Sequence, residues 1–386
     1  MTFFGIARRV FTVLGFLYGG AVILLTVPYV QTHTLFLHAV RFPWFARYDL
    51  PEKYGLAPGK TANLKIRTAD NETLGAWFIF SEPFYQALGG IPTDSEEHIP
   101  AALKATPTIL FFHGNAATRA LPARIQHYAA YTGRLGTNVL AIDYRGYGDS
   151  SGTPTETGVL RDARAAWNWL VEKGAEPSDI LIVGTSLGTG VSALLSAELS
   201  DEGVAPRGVV LLSPFSSIAK VLETYHIFGL VPLIKPLGMI PWATNLVMKA
   251  LIHRFDTDLL VPRMKGQILI AHAEDDWDIP YTHSIALFDT FLDPFLPAAP
   301  SLPENAAALS HDEWSVFNTQ LSLRRDARAG LLRTTEINNF GTVQEFADEK
   351  HGRMVVYVQT HAGGHGLLGV QEGLQDVIGK MFSLRK

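Results

Sequence analysis

No cysteine occurs anywhere in the 386 residues. Disulfides, thiolate nucleophiles and zinc–thiolate centres are therefore excluded. The absence leaves the redox compartment open, because a cysteine-free chain folds in either. An excess of one charge is missing too. Lys and Arg number 32 against 37 Asp and Glu, a net charge of −5 with both signs mixed along the chain. No basic stripe forms, so the electrostatic footprint of a nucleic-acid binder is lacking. The histidines show no metal-ligand spacing such as H-E-x-x-H, and neither a metal nor another cofactor is expected. No internal repeat stands out. What the chain does have is apolar residues, 47% of the total. That profile suits a packed globular core, and the length allows one large catalytic domain with an appendage.

The first informative segment is N-terminal. Arg8 and Arg9 precede an apolar run from Val10 to Val30 that contains no charge. A helix needs roughly 20 residues to cross a bilayer core. A cleaved leader would have a shorter apolar region and a small-residue cleavage site, whereas Pro28 and Tyr29 stand near the end of this run. The pattern predicts an uncleaved, single-pass membrane anchor within residues 1–33. Arg8 and Arg9 favour a cytosolic N-terminus, and Arg41 and Arg47 on the far side weaken that bias. Asn71-Glu72-Thr73 is a glycosylation sequon in an expected turn after Ala69-Asp70. It makes Asn71 a glycosylation candidate and adds a little to a lumenal reading. Residues 34–60 carry Leu35, Phe36, Leu37, Phe42, Trp44 and Phe45. This juxtamembrane stretch either lies at the bilayer interface or packs on the domain.

From residue 61 onward strand-like and helix-like segments alternate, which implies a mostly parallel central sheet with helices on both faces. Thr61–Thr68 and Leu74–Phe80 form an opening hairpin. Strands are expected at Thr106–Phe112, Asn138–Ile142, Ile180–Val183, Gly208–Leu212, Gln267–Ala271 and Met354–Val358. Helices are expected at Ala117–Tyr131, Glu156–Lys173, Val191–Leu199 and Leu367–Phe382. Two segments interrupt the pattern. Residues 217–263 are strongly apolar but broken by Pro232, Pro236 and Pro241. Short helices in a lid fit this better than one continuous helix. Residues 296–352 form a longer insertion, expected as a surface excursion.

Gly184-Thr185-Ser186-Leu187-Gly188 directly follows an apolar strand and precedes a helical run. This is the G-x-S-x-G nucleophile elbow in its strand–turn–helix context. Small residues, Gly184 and Gly188, let the two backbones approach there, and the hydroxyl of Ser186 projects at the carboxyl end of the sheet. A serine needs a base, and the base needs an orienting acid. After the strand Gln267–Ala271 the loop offers Glu274, Asp275, Asp276 and Asp278. After Met354–Val358 the chain reads Gln359-Thr360-His361-Ala362-Gly363-Gly364-His365-Gly366. A glycine loop can swing an imidazole over the cleft, which favours His365 as base, with His361 second. The oxyanion needs two backbone donors. One is expected from Leu187, the other from Asn115 or Gly114 in His113-Gly114-Asn115-Ala116. His113 is expected to hold that loop, and His226 and His253 are expected to be structural or surface groups.

At this point the motifs line up with a family. Asp143-Tyr144-Arg145-Gly146-Tyr147-Gly148-Asp149-Ser150-Ser151-Gly152-Thr153-Pro154 resembles the signature loop of the α/β-hydrolase-domain-12 lipases. His113-Gly114-Asn115-Ala116, the Gly184–Gly188 elbow and the stretch from His272 to Asp276 match the same group in the same order. The resemblance runs from about Pro51 onward. It implies an α/β-hydrolase fold and a membrane-bound serine hydrolase acting on monoacylglycerols and lysophospholipids, including lysophosphatidylserine. Such proteins often reside in the endoplasmic reticulum. It also implies a triad of Ser186, Asp276 and His365. Asp276 is singled out because the family's acid lies three residues ahead of an apolar residue and a proline, here Ile279 and Pro280; Asp275 and Asp278 are the runners-up. Trp277-Asp278 and the long insertion depart from the family pattern and bear on the substrate. The expected partners are a lipid ester and a membrane. A serine peptidase or acyltransferase can use the same triad, and a non-catalytic membrane scaffold can keep the same fold.

Overall fold

The computed structural model describes residues 3–224, 226–227, 231–232, 241–302 and 310–384. Two helices come first, α1 (Phe3–Leu25) and α2 (Pro28–Phe36). The strands β1 (Thr61–Arg67) and β2 (Thr73–Ile79) follow, then short helices α3 (Glu82–Ala87) and α4 (Ile99–Ala105). The alternation proper runs through β3 (Thr108–Phe112), α5 (Pro122–Gly133), β4 (Asn138–Ile142), α6 (Glu156–Glu172), β5 (Ile180–Thr185), α7 (Leu187–Asp201) and β6 (Gly208–Leu212). Then come α8 (Ile218–Thr224), a two-residue ladder of β7 (His226–Ile227) with β8 (Val231–Pro232), α9 (Pro241–Ala250) and α10 (Thr257–Leu260). The chain closes with β9 (Ile268–Ala273), α11 (Thr282–Leu292), α12 (His311–Leu331), β10 (Arg333–Ile337), β11 (Gly341–Asp348), β12 (Arg353–Thr360) and α13 (Glu372–Met381).

The main sheet has ten strands in the order β1-β2-β4-β3-β5-β6-β9-β12-β11-β10. Its centre, from β4 through β12, is parallel, and antiparallel pairs flank it on both sides. Strand residues alternate between two cores, as the pleat requires. Leu110, Phe112, Leu140, Ile182, Leu211 and Ile270 face one layer with Val159 and Ala163 of α6 and Val191 of α7. Ile109, Phe111, Val139, Val183, Val210 and Leu269 face the other with Tyr128 of α5 and Ile378 of α13. Both faces are covered, so β3, β4 and β6 are buried along their whole length. That is why they read as continuous apolar runs.

Several segments differ from the sequence-based expectation. The apolar run from Val10 to Val30 is not one helix. α1 starts earlier, at Phe3, and stops at Leu25; a turn at Thr26-Val27 precedes α2. Pro28 has no amide hydrogen to continue α1, and its fixed φ suits the first position of a new helix. The expected helix at Ala117 begins only at Pro122, because Ala116 and Ala117 hold positive φ of 55° and 53°. Part of the juxtamembrane stretch packs on the domain. Phe36 is completely buried in the core, whereas Trp44 and Phe45 are exposed. The insertion at 296–352 is only partly a surface excursion. β11 extends the sheet beside β12, with Phe346 buried against Phe288 and Phe295. Asp348 and Arg353, both buried, pair at 2.7 Å across the β11–β12 turn. β10 stayed hidden because all five of its residues are exposed and show no apolar alternation. The segment 217–263, expected as a lid, contains α8, α9 and α10, and its residues 225, 228–230 and 233–240 lie outside the described residues.

Candidate active site

Ser186 sits between β5 and α7 with φ 52° and ψ −121°. Such a conformation costs a non-glycine residue on the order of 1–3 kcal/mol and persists only when its surroundings impose it. Here the Ser186 amide donates to Leu212 O at 3.0 Å, and its carbonyl accepts from the Thr189 amide at 2.8 Å. The flanking glycines are demanded by distance. A Cβ on Gly184 would stand 2.3 Å from Gly188 O, and one on Gly188 would stand 2.1 Å from Phe112 O. These are van der Waals violations against backbone, so no side chain fits.

β9 and β12 are parallel neighbours, and the loops after them bring the acid and the imidazole together. His365 Nδ1 lies 2.8 Å from Asp276 Oδ2. Asp276 is buried, and its Oδ1 accepts the Asp278 and Ile279 amides, each at 2.9 Å. His272, fully buried on β9, places Nε2 3.0 Å from Asp276 Oδ2 and 2.9 Å from Ile279 O. Two acceptors at Nε2 put the His272 proton there, so Nδ1 accepts from the Ser284 hydroxyl at 2.6 Å. Burial alone would raise the Asp276 pKa. The hydrogen bonds from His272, His365 and the Ile279 amide outweigh it and hold the carboxyl well below the usual carboxylate range. An ionised Asp276 keeps the His365 proton on Nδ1 and leaves Nε2 as a lone-pair base.

Ser186 and His365 line one cleft of about 220 Å3. Asn115 and Asp278 are its other polar groups, and Leu35, Phe215, Ile218 and Val221 give it an apolar wall. The volume lies below the roughly 300–1,000 Å3 of drug-sized sites. Among the described residues no hydrogen bond joins Ser186 Oγ to His365, and the amides of Gly114, Asn115 and Leu187 donate to no protein acceptor. Leu187 is the first residue of α7, where helix amides have no internal partner. Gly114 is tight against the nucleophile: a Cβ there would meet Ser186 Cβ at 3.2 Å.

The pattern of the α/β-hydrolase family matches residues 109–372. This chain belongs to the α/β-hydrolase family. Among curated α/β hydrolases it is 32% identical over 268 residues to the lysophosphatidylserine lipase ABHD12 of Danio rerio, covering 69% of this chain and 68% of that protein. It is 32% identical over 279 residues to that of Bos taurus, covering 72% and 68%. An α/β hydrolase from Vibrio vulnificus superposes with a TM-score of 0.55 at 17% identity, covering 93% of this chain and 94% of the other, which establishes the shared fold.

The structure separates the sequence candidates of this hydrolase. His361 turns to Glu274, with Nδ1 3.1 Å from its carboxylate. Asp275 accepts the Gly364 amide at 2.7 Å and so braces the loop that carries His365. Asp278 reaches the cleft wall, but its carboxylate makes no hydrogen bond to an imidazole among the described residues; that of Asp276 makes two. His113 is buried beside Asp143, 3.4 Å away, and burial with the Arg124 charge pushes its pKa down to about 4. It is a neutral loop residue. His253 binds the Thr32 hydroxyl at 2.9 Å, and the side chain of His226 lies outside the described residues. Sequence reasoning missed His272, Leu35 and Arg124. A histidine inside an apolar strand was a visible signal for His272; Leu35 and Arg124 gave none, because their roles depend on long-range packing.

Proposed function

We propose that this α/β hydrolase is a membrane-anchored serine hydrolase that cleaves carboxylic esters of single-chain lipids, a monoacylglycerol or a lysophospholipid such as lysophosphatidylserine. The carrying observation is the His365–Asp276 bond in a cleft that also holds Ser186 and an apolar wall. In this reading Ser186 Oγ attacks the acyl carbonyl while His365 Nε2 takes its proton. The imidazolium that forms is stabilised by the ionised Asp276. The carbonyl oxygen becomes an oxyanion held by the Leu187 and Asn115 amides, with Gly114 beside them. His365 then protonates the departing alkoxide, and the alcohol leaves. A water, deprotonated by His365, attacks the acyl-serine and releases the fatty acid and Ser186.

The anchor reading is supported by α1, which has 23 residues, a mean hydropathy of 1.5 over its most apolar window, and only Val22 buried. Its length of about 34 Å at 1.5 Å per residue matches a hydrocarbon core of roughly 30 Å. Apolar side chains such as Phe11, Leu14 and Leu17 are left bare, as a lipid-facing helix requires. A lumenal catalytic domain in the endoplasmic reticulum fits an exposed Asn71 at the tip of the β1–β2 turn. The relatives' names supply the lysophosphatidylserine head group.

Full-length protein in detergent or liposomes, beside Ser186→Ala, should be treated with a fluorophosphonate and then offered a panel of lipid esters. Labelling and lysophospholipid or monoacylglycerol hydrolysis should vanish together in the variant. Well-folded wild type that neither labels nor hydrolyses any member would refute the enzyme reading and favour a scaffold. Cleavage of peptide amides, or transfer to an alcohol acceptor in place of water, would redirect it to a peptidase or an acyltransferase.

A further inference from the structure

The oxyanion loop is held by a segment far away in sequence. Ala116 and Ala117 both adopt left-handed backbone conformations, which L-residues hold only under constraint. The constraint is the end of α2 and the stretch just after it. The amides of Ala116, Ala117 and Thr118 donate to the carbonyls of Phe36, Val40 and Phe42 at 3.0, 2.7 and 3.1 Å. Asn115 Nδ2 donates to Leu35 O at 3.4 Å, and Thr118 Oγ1 to Phe42 O at 3.3 Å. The buried Arg124 guanidinium donates to the carbonyls of Gly114, Asn115 and Ala116 at 3.0, 3.2 and 2.8 Å. Every buried backbone group wants a partner. After this pairing, Gly114 and Asn115 carry the loop's amides with no acceptor among the described residues.

The stretch is itself fixed at Phe36. Its ring is fully buried, edge-on to His253 at 5.2 Å and Phe255 at 6.2 Å. Its carbonyl accepts from the Tyr147 hydroxyl as well as from Ala116. Leu35, one residue earlier, forms part of the cleft wall.

We propose that residues 35–42 are a positioning strap that sets the oxyanion donors of Gly114 and Asn115, so that the segment joining the anchor to the domain is part of the catalytic apparatus. The proposal rests on the reading of Ser186 as nucleophile. Its logic is geometric. An oxyanion hole works only if its donors are held where charge develops. Arg124 fixes the loop's carbonyls, and the strap fixes its amides.

The test uses the full-length protein with Phe36→Ala, which removes the buried ring, Phe36→Leu, which refills most of it, and Tyr147→Phe, which removes one oxygen. Amide hydrogen exchange at 116–118, kcat and KM on an ester substrate, fluorophosphonate labelling rate and thermal melting are measured on each. Exchange at 116–118 should rise in Phe36→Ala and Tyr147→Phe. Complete loss of one oxyanion donor costs about 100- to 1,000-fold in kcat, so a loosened donor should cost about 10-fold in Phe36→Ala and about 3-fold in Tyr147→Phe. The labelling rate should fall in parallel, KM should stay nearly constant, and Phe36→Leu should recover most of the loss. If Phe36→Ala does not fold, Tyr147→Phe carries the test. Faster exchange with unchanged kcat and labelling would overturn the positioning role, and unchanged exchange in both variants would show that the strap does not hold the loop. Wild type that fails to label is a different outcome: it removes the hydrolase reading itself.

Discussion

Replacing Asp276 by asparagine should abolish most of the activity for a reason visible in its hydrogen bonds. Asp276 Oδ1 accepts two backbone amides, from Asp278 and Ile279 at 2.9 Å each. Only an oxygen satisfies two donors, so the carbonyl of the substituted amide takes that position. The NH2 group then occupies the place of Oδ2 and points at His365 Nδ1, 2.8 Å away. It donates where the carboxylate accepted, so the His365 proton moves to Nε2. The base then presents a proton to Ser186 where it needs a lone pair. The same NH2 group meets the His272 Nε2 proton, now opposed by a donor. For the equivalent change in a serine-protease triad, the wrong tautomer lowers kcat about 10,000-fold, which is about 5 kcal/mol of barrier. The assay is kcat for ester hydrolysis by Asp276→Asn, Asp275→Asn and Asp278→Asn, each checked for melting temperature. Only Asp276→Asn should fall by about 10,000-fold. A folded Asp276→Asn within ten-fold of wild type, or an equal collapse in Asp278→Asn, would refute the assignment of the acid.

Three further outcomes are expected. Gly188→Ala puts a methyl 2.1 Å from Phe112 O and 2.6 Å from Phe112 C; it should eliminate fluorophosphonate labelling and lower stability by at least about 1–3 kcal/mol, as overpacking does, and normal labelling would mean that the elbow can open. His272→Leu strips Asp276 of one donor and leaves Ile279 O and the Ser284 hydroxyl unpaired in a buried site; it should cost about 1–3 kcal/mol of stability and lower kcat with KM held, and an unchanged kcat would confine His272 to a structural role. Burial is the leading cause that pushes His113, His127 and His283 down to about 4. The unfolded imidazoles titrate near 6.5, so the unfolded state binds more protons between about 4 and 6.5. Stability should therefore be full above pH 6.5 and decline as pH falls toward 4. Asp162, whose carboxyl burial pushes up to about 6, and Glu156, also raised by burial, work in the opposite direction, while His38 and His253, lowered by burial, act with the other histidines. Melting temperatures that hold flat from pH 7 to 4.5 would contradict the buried neutral histidines.

The sheet was legible because its parallel strands are buried on both faces and announce themselves as short apolar runs ending at polar loop residues. The nucleophile was legible for a different reason. Gly184 and Gly188 are forced because a Cβ on either would stand 2.3 or 2.1 Å from a backbone oxygen, so the fold writes its constraint directly into the sequence. The acid was not separable by composition, since Glu274, Asp275, Asp276 and Asp278 are equivalent as residue types. What distinguishes Asp276 is that its carboxylate is buried and meets two imidazoles, while Glu274 and Asp275 turn to His361 and Gly364. β10 was hidden because it is exposed along its whole length at the sheet edge, and β11 because its buried positions lose strict alternation at Gln344-Glu345 and end on the buried charge of Asp348.

The strap shows where pattern reading stops in principle. Its bonds to the oxyanion loop run from carbonyls of Phe36, Val40 and Phe42 to amides of Ala116, Ala117 and Thr118. Backbone groups are the same in every residue, so no side-chain identity records the pairing. Phe36 is one of several apolar residues in the strap, and an aromatic just after an apolar run reads equally well as bilayer interface or as core. Only its complete burial against Phe255 decides between them. That decision changes the meaning of the N-terminus: a segment that could have been a tether is bonded to the loop that packs Gly114 against Ser186 and lines the cleft with Asn115. Damage to residues 35–42 should therefore be felt in kcat, while damage confined to the exposed face of α1 should be felt in membrane association.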